Sequence, residues 1–189
     1  MRILRAGARV ARPWKNGGGT TTEVAAFPEA SGLENFGWRV SIAEVAQSGA
    51  FSLFPGIDRH LVLLKGRVAL TVAGMGTMEL SPADSPVSFP GDTAADAHVI
   101  DGPATDLNVM TRRGAFAASL TRRKLGGAIE TNASVTLAFP LSAATTVFQG
   151  TDGTVLAPTD AIFAEGGETF EIPSPAEFHW VEISPARLR

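Results

Sequence analysis

The chain has 189 residues, 44% of them hydrophobic, a length and apolar fraction that suit one large domain or two small halves sharing a buried core. A net charge of −3, with Arg112-Arg113 and Arg122-Arg123-Lys124 as the only local basic runs, argues against a nucleic-acid or anionic-membrane surface. The absence of cysteine excludes disulfides and thiolate chemistry, and with no apolar leader or run of membrane-span length a soluble cytoplasmic protein is the expectation.

In chain order, residues 2–5 read as an opening strand. Next comes Arg12-Pro-Trp-Lys-Asn-Gly-Gly-Gly-Thr20, in which three consecutive glycines permit unusual backbone conformations and close approach by another group. Two readings stand: a flap over a ligand, with Lys15 and Asn16 at its rim and Trp14 as an apolar lid, or a plain surface turn. A phosphate loop is excluded, because the lysine precedes the glycines and no Gly-Lys-Ser/Thr ending follows.

From Thr20 the pattern is that of strands. Residues 20–26 are rich in threonine, 27–37 form a loop, and 38–45 alternate, with Trp38, Val40 and Ile42 against Arg39, Ser41 and Ala43. Residues 51–54 read as a short strand, Pro55-Gly56 as a turn, and the apolar run 61–64 as a central strand that needs apolar neighbours on both faces. Asp58 and Arg59 are expected where the core meets its opening, as site residues or as an ordinary ion pair at a strand end. Strands at 68–72, 77–80 and 87–89 follow, with turns between them.

Residues 106–111 alternate so that Asp106 and Asn108 share a face opposite Leu107 and Val109. Further strands are expected around 135–139, 170–172 and 178–183, and single helical turns at 28–36 and 94–98. Short strands spaced by turns define an all-β sandwich or barrel. An echo of Asp84, Pro90 and His98 in Gly167, Pro173 and His179 points to two related barrels, over roughly 20–110 and 125–185.

The stretch 51–66 resembles the first cupin motif, in words His-x-His, three or four residues, Glu, six residues, Gly. With Gly66 as the final glycine, Arg59 takes the glutamate position and Ser52 and Phe54 the two histidine positions. Pro-Trp-Lys-Asn-Gly-Gly-Gly-Thr at 13–20, Phe-Ser-Leu-Phe-Pro-Gly-Ile-Asp-Arg at 51–59 and Asp-Leu-Asn-Val-Met-Thr-Arg-Arg at 106–113 together are similar to the HutD/Ves family. That resemblance implies a bicupin, two double-stranded β-helix barrels in tandem: an N-terminal barrel over 1–115 and a second, degenerate half over 116–189. It also implies an association with histidine utilisation, with family members acting as regulators or metabolite binders.

A metal-binding cupin needs three or four converging His/Glu donors. A guanidinium at the carboxylate position reverses the local field, so the expectation is a pocket without metal or cofactor in which Arg59 grips a ligand carboxylate through two hydrogen bonds. Asp58 would orient Arg59 or meet an amine or imidazole, and Lys15 and Asn16 would close over the mouth. Asn108 would read an amide or formyl group, or be a satisfied strand residue, and Arg112 or Arg113 would reach in from the strand end. Ser52, Phe54, Trp14 and Trp38 complete the candidate lining, with Trp38 also fitting an ordinary core position.

His60 must face away from Arg59, and Ser52, Asp58 and His60 cannot converge as a catalytic group on an extended strand. The expected function is a non-catalytic binder of a urocanate- or formylglutamate-type carboxylate. The alternative is a metal-independent isomerase or lyase with Lys15 or Asp58 as base. No nucleic-acid or membrane partner is expected; homodimerisation through the second half stays open.

Overall fold

The computed structural model describes residues 1–14, 17–141 and 144–187. These form strands, with one 3-10 turn at Ala6–Ala8. The chain divides into two compact units, one of Val10–Phe116 and one of Ala117–Arg187 together with Met1–Arg9. The sequence reading placed the first nine residues with the N-terminal half. They belong instead to the C-terminal unit, because the first strand, β1 (Arg2–Leu4), pairs antiparallel with residues 161–163.

The N-terminal unit contains β2 (Ala11–Pro13), β3 (Gly19–Phe27), β4 (Trp38–Val45), β5 (Gly49–Ala50), β6 (Ile57–Lys65), β7 (Val68–Val72), β8 (Gly76–Leu80), β9 (Val87–Pro90), β10 (Ala95–Val99) and β11 (Ala104–Arg112). They make a six-stranded sheet in the order β2-β3-β4-β11-β6-β9 and a four-stranded sheet in the order β5-β10-β7-β8. Leu61 and Leu63 of the first sheet pack with Val68, Leu70, Val72 and Leu80 of the second. Burying these side chains contributes roughly 2 kcal/mol each. Gly66 makes the tight turn between β6 and β7 possible: its φ is +79°, and a Cβ there would lie 2.9 Å from Ala104 Cα.

The C-terminal unit carries β12 (Phe116–Glu130, its first residue shared with the other unit), β13 (Val135–Pro140), β14 (Thr145–Gln149), β15 (Asp152–Leu156), β16 (Ala161–Glu165) and β17 (Thr169–Pro185). With β1 they form one seven-stranded sheet, ordered β1-β16-β13-β17-β14-β15 with β12 also on β17. Its core is Ile162, Ile172, Phe170, Phe178 and Trp180 with smaller neighbours.

The structure differs from the sequence expectation at three places. Residues 51–54 are irregular; the local pairing is made by Gly49 and Ala50 with β10. Residues 95–99 are a strand rather than a helical turn, since Ala95 and Ala97 alternate into the core. The echo of Pro90 and Pro173 does not mark equivalent positions: Pro90 ends the short β9 and His98 lies on another strand, whereas Pro173 and His179 share the continuous β17. No helix among the described residues is long and apolar enough to cross a membrane.

Candidate ligand-binding site

Antiparallel pairing brings side chains of β4, β11 and β6 into rows across the inner face of the six-stranded sheet. Arg39, Met110 and Arg59 form one row, Ser41, Asn108 and Leu61 the next, and Ala43, Asp106 and Leu63 the third. Leu61 and Leu63 identify this as the face turned toward the four-stranded sheet. The polar side of the alternation at 38–45 and 106–111 therefore lines the interior rather than meeting solvent.

Arg59 is only 3% exposed. Its guanidinium carbon lies 4.7 Å from the ring centroid of Phe51, 5.3 Å from Phe89 and 5.8 Å from Phe54, an aromatic box that stabilises a cation through the ring quadrupoles. Among the described residues no side chain hydrogen-bonds it, and its Nε is buried without a partner. Asp106, 1% exposed, and Asn108, 8% exposed, present an Oδ1 atom each in the same condition. An orphaned buried polar atom costs about 1–3 kcal/mol, and of the nine such atoms among the described residues these three share one face.

The electrostatics follow from this burial. Desolvation pushes the Asp106 carboxyl up to about 7, opposed by the positive charge of Arg59. Burial likewise brings Arg59 down to about 10, opposed by Asp106. The two charges sense one another without forming a salt bridge. Beside Asp106 lies a small cavity of about 10 Å3 whose accessible wall is apolar, formed by side chains such as Val45, Phe51 and Leu63. That is room for about one water or the tip of a small molecule.

The expected site residues do not all gather here. Arg59 was expected at the barrel opening; it is enclosed, covered by Phe51 and Phe54. These sit on an irregular segment pinned by hydrogen bonds from Phe51 N to Ala95 O (2.8 Å) and from Phe54 N to Gly91 O (2.7 Å). Phe54 thus joins the site as a cover, and Asn108 lies within it. Asp58 faces the other way and accepts a hydrogen bond from Arg113 Nε (2.8 Å), while Arg113 also binds Asp92 (3.0 Å). Ser52 is exposed. Arg112 donates to the backbone carbonyls of Phe36 and Glu34, both at 3.1 Å, and so braces the loop before β4.

Lys15 and Asn16 lie outside the described residues. Their neighbours Trp14 and Gly17 close a turn through Trp14 N to Gly19 O (2.9 Å) and Gly17 N to Trp14 O (3.0 Å), and Gly18 O accepts from the amides of Ala46 and Gln47. A Cβ at Gly19 would come 2.2 Å from Glu44 O. The described part of the glycine-rich loop is thus bound at the Val45 end of β4, some six residues or about 20 Å along the strand from the Arg39 row. Trp38 is buried and stacked on Phe27 (6.3 Å). His60 faces away from Arg59 and meets Ser88 Oγ (2.7 Å); among the described residues no group of three or more His, Asp or Glu side chains converges.

Sequence reasoning missed Asp106 as a site residue, and with it Phe51, Phe89 and Ser41. The signal available was the alternation that puts Asp106 on the face of Asn108.

Curled all-β sheets of this kind, with polar residues inside the first unit, give the chain a cupin-like fold. It shares that fold with a cupin 2 conserved barrel domain protein from Leptotrichia buccalis, at TM-score 0.63 and 7% identity over 98% of this chain and 96% of the other. The HutD family profile matches residues 6–180, and the chain belongs to the HutD family. It is 40% identical over 101 residues to Protein Ves of Citrobacter koseri, covering 53% of this chain and 52% of that protein. A 21.2 kDa Pseudomonas putida protein, named for its position in the hutC 3′ region, is 37% identical over 111 residues, 58% of this chain and 57% of the other. That position links the family to the histidine-utilisation operon. The chain spans about half the length of the curated relatives it matches. Along its whole length it resembles the structure of HutD from Pseudomonas fluorescens SBW25, with TM-score 0.83 and 29% identity over 98% and 99% of the two chains.

Proposed function

We propose that the protein is a non-catalytic binder of a small carboxylate from histidine breakdown, of urocanate or formylglutamate type, held in a metal-free pocket with Arg59 as anchor. The observation that carries this reading is an enclosed guanidinium, boxed by three phenyl rings, whose Nε has no partner among the described residues. A carboxylate is the complement of such a fork, since two parallel charge-assisted hydrogen bonds match its geometry. Entry requires Phe51 and Phe54 to move aside, and the ligand then takes their place against Arg59. Asn108 serves as a second polar contact one row deeper. A sensing role in histidine utilisation accords with the family's operon link.

The test is calorimetric titration of metal-stripped protein with urocanate, formylglutamate, histidine and glutamate, followed by a search of the same mixtures for product. Arg59→Met, which keeps much of the packing volume, should lose at least a hundredfold in affinity for whichever acid binds, given about 1.5–3 kcal/mol for each charge-assisted hydrogen bond. Unchanged affinity in this variant would overturn the reading. Asp106 favours a second reading, because a buried carboxyl that titrates near neutrality is suited to act as a general base. An isomerase or lyase of such a metabolite would reveal itself as product, and loss of that product in Asp106→Asn would assign the base.

A further inference from the structure

The three orphaned atoms on the inner face are not alike: one is a donor on a cation, Arg59 Nε, and two are acceptors, Oδ1 of Asp106 and Oδ1 of Asn108. A bare carboxylate answers only the first. It would also disturb the charge balance, for Arg59 and Asp106 are buried on the same inner face, and the Arg39 of that face is already paired with Glu23. When a ligand carboxylate claims the guanidinium, an ionised Asp106 is left buried beside a second anion, which is strongly unfavourable in a low-dielectric interior. A ligand that brings its own N–H donor restores the balance and satisfies both acceptors.

Resting on the carboxylate reading of Arg59, we infer that Asp106, with Asn108, forms a second anchor that selects carboxylic acids bearing an N–H donor, an ammonium or an azole, at their far end. The geometry orders the two ends. Asp106 lies two rows deeper than Arg59 on the same face, beside a small cavity whose accessible wall is apolar. The N–H end therefore enters first and the carboxylate follows, stopping at Arg59 in the place that the rings of Phe51 and Phe54 vacate. A ligand of this class has a short apolar spacer against Leu61, which faces the interior between the two anchors.

The test compares acids matched except for the donor: glutamate with glutarate, and 3-(imidazol-4-yl)propionate with 3-phenylpropionate. Each pair is titrated calorimetrically into wild-type, Asp106→Asn and Arg59→Met protein, in two buffers of different ionisation heat. In the wild type the N–H member of at least one pair should bind tenfold or more tightly than its partner. Asp106→Asn, its fold checked by circular dichroism, should reduce that gap below threefold while leaving the plain acid's affinity unchanged or improved. Equal affinities within both pairs in the wild type would overturn the inference without any appeal to a variant. So would a gap that persists in Asp106→Asn, or plain acids that bind equally well by taking up a proton. Binding by any acid that is indifferent to Arg59→Met, or no binding by any of the four, would instead sink the carboxylate reading, and the second anchor with it.

Discussion

Asp106 makes the stability of the fold depend on pH in a way that can be worked out in advance. Its carboxyl is 1% exposed and its pKa rises from 3.8 to about 7, chiefly through desolvation. Between those two values the native state holds a proton that the unfolded chain has released. Stability therefore falls as pH rises through this window, by about 1.4 kcal/mol per unit. The contribution is fully present below about pH 4 and lost above about 7, a total near 4 kcal/mol. Asp106→Asn removes the titration while keeping the shape. The measurement is urea unfolding of both proteins at pH 4.5, 6 and 8, taking wild type minus variant at each pH so that other titrating groups cancel. The difference should shift by about 3 kcal/mol against the wild type from pH 4.5 to 8. A difference that stays flat would refute the reasoning, and would mean that Asp106 is ionised in the fold throughout.

Two further predictions concern other charged groups. His179, buried on β17, is brought down to about 4 by desolvation, with Arg122 adding to the effect, so the native state resists a proton that the unfolded chain accepts below its ordinary 6.5. Stability is lost as pH falls through that window, and His179→Leu should unfold less readily than wild type at pH 4.5 relative to pH 7.5, by up to about 3 kcal/mol in urea. Asp92, held at about 2 by its hydrogen bond from Arg113, should titrate within the usual carboxylate range in Arg113→Ala, as followed by carboxyl-carbon NMR; an unmoved titration would show that another group holds it.

Much of the N-terminal unit is legible in the sequence because its strands announce themselves locally. The alternation at 38–45 and 106–111 and the apolar run at 61–64 each fix a strand without reference to the rest of the chain. The long β12 does not: it is largely exposed, and Arg122, Arg123 and Lys124 break any apolar signal. The buried β16, Ala-Ile-Phe-Ala-Glu, is too short for its apolar run to be told from a piece of helix. At the site, motif spacing singled out Arg59, but its enclosure was hidden, because charged residues are almost never fully buried and a strand position carrying one reads as surface. Asp58 and Asp106 exchange roles for a related reason. Adjacency to Arg59 in sequence places Asp58 on the opposite face of β6, whereas Asp106, 47 positions away, shares the inner face through β11.

The cost of this interior bears on what the protein can do. Replacing buried opposite charges by apolar groups of similar volume is often neutral or stabilising, and each unpaired polar atom adds its own penalty. The fold therefore carries an interior that is less stable empty than it would be if filled with leucine and methionine. Whatever supplies the missing hydrogen bonds recovers that deficit, and occupancy adds stability as RT ln(1 + [L]/Kd), about 2.7 kcal/mol at a hundred times Kd. The gain is felt first at the cover, since Phe51 and Phe54 sit on an irregular segment and are held by three backbone hydrogen bonds. A ligand that replaces those rings against Arg59 must displace the segment between Ala50 and Ile57, and Leu53 at its crest is already exposed. On the carboxylate reading proposed above, the chemistry that would recognise a ligand and the surface that would report it lie on the two sides of one short stretch of chain.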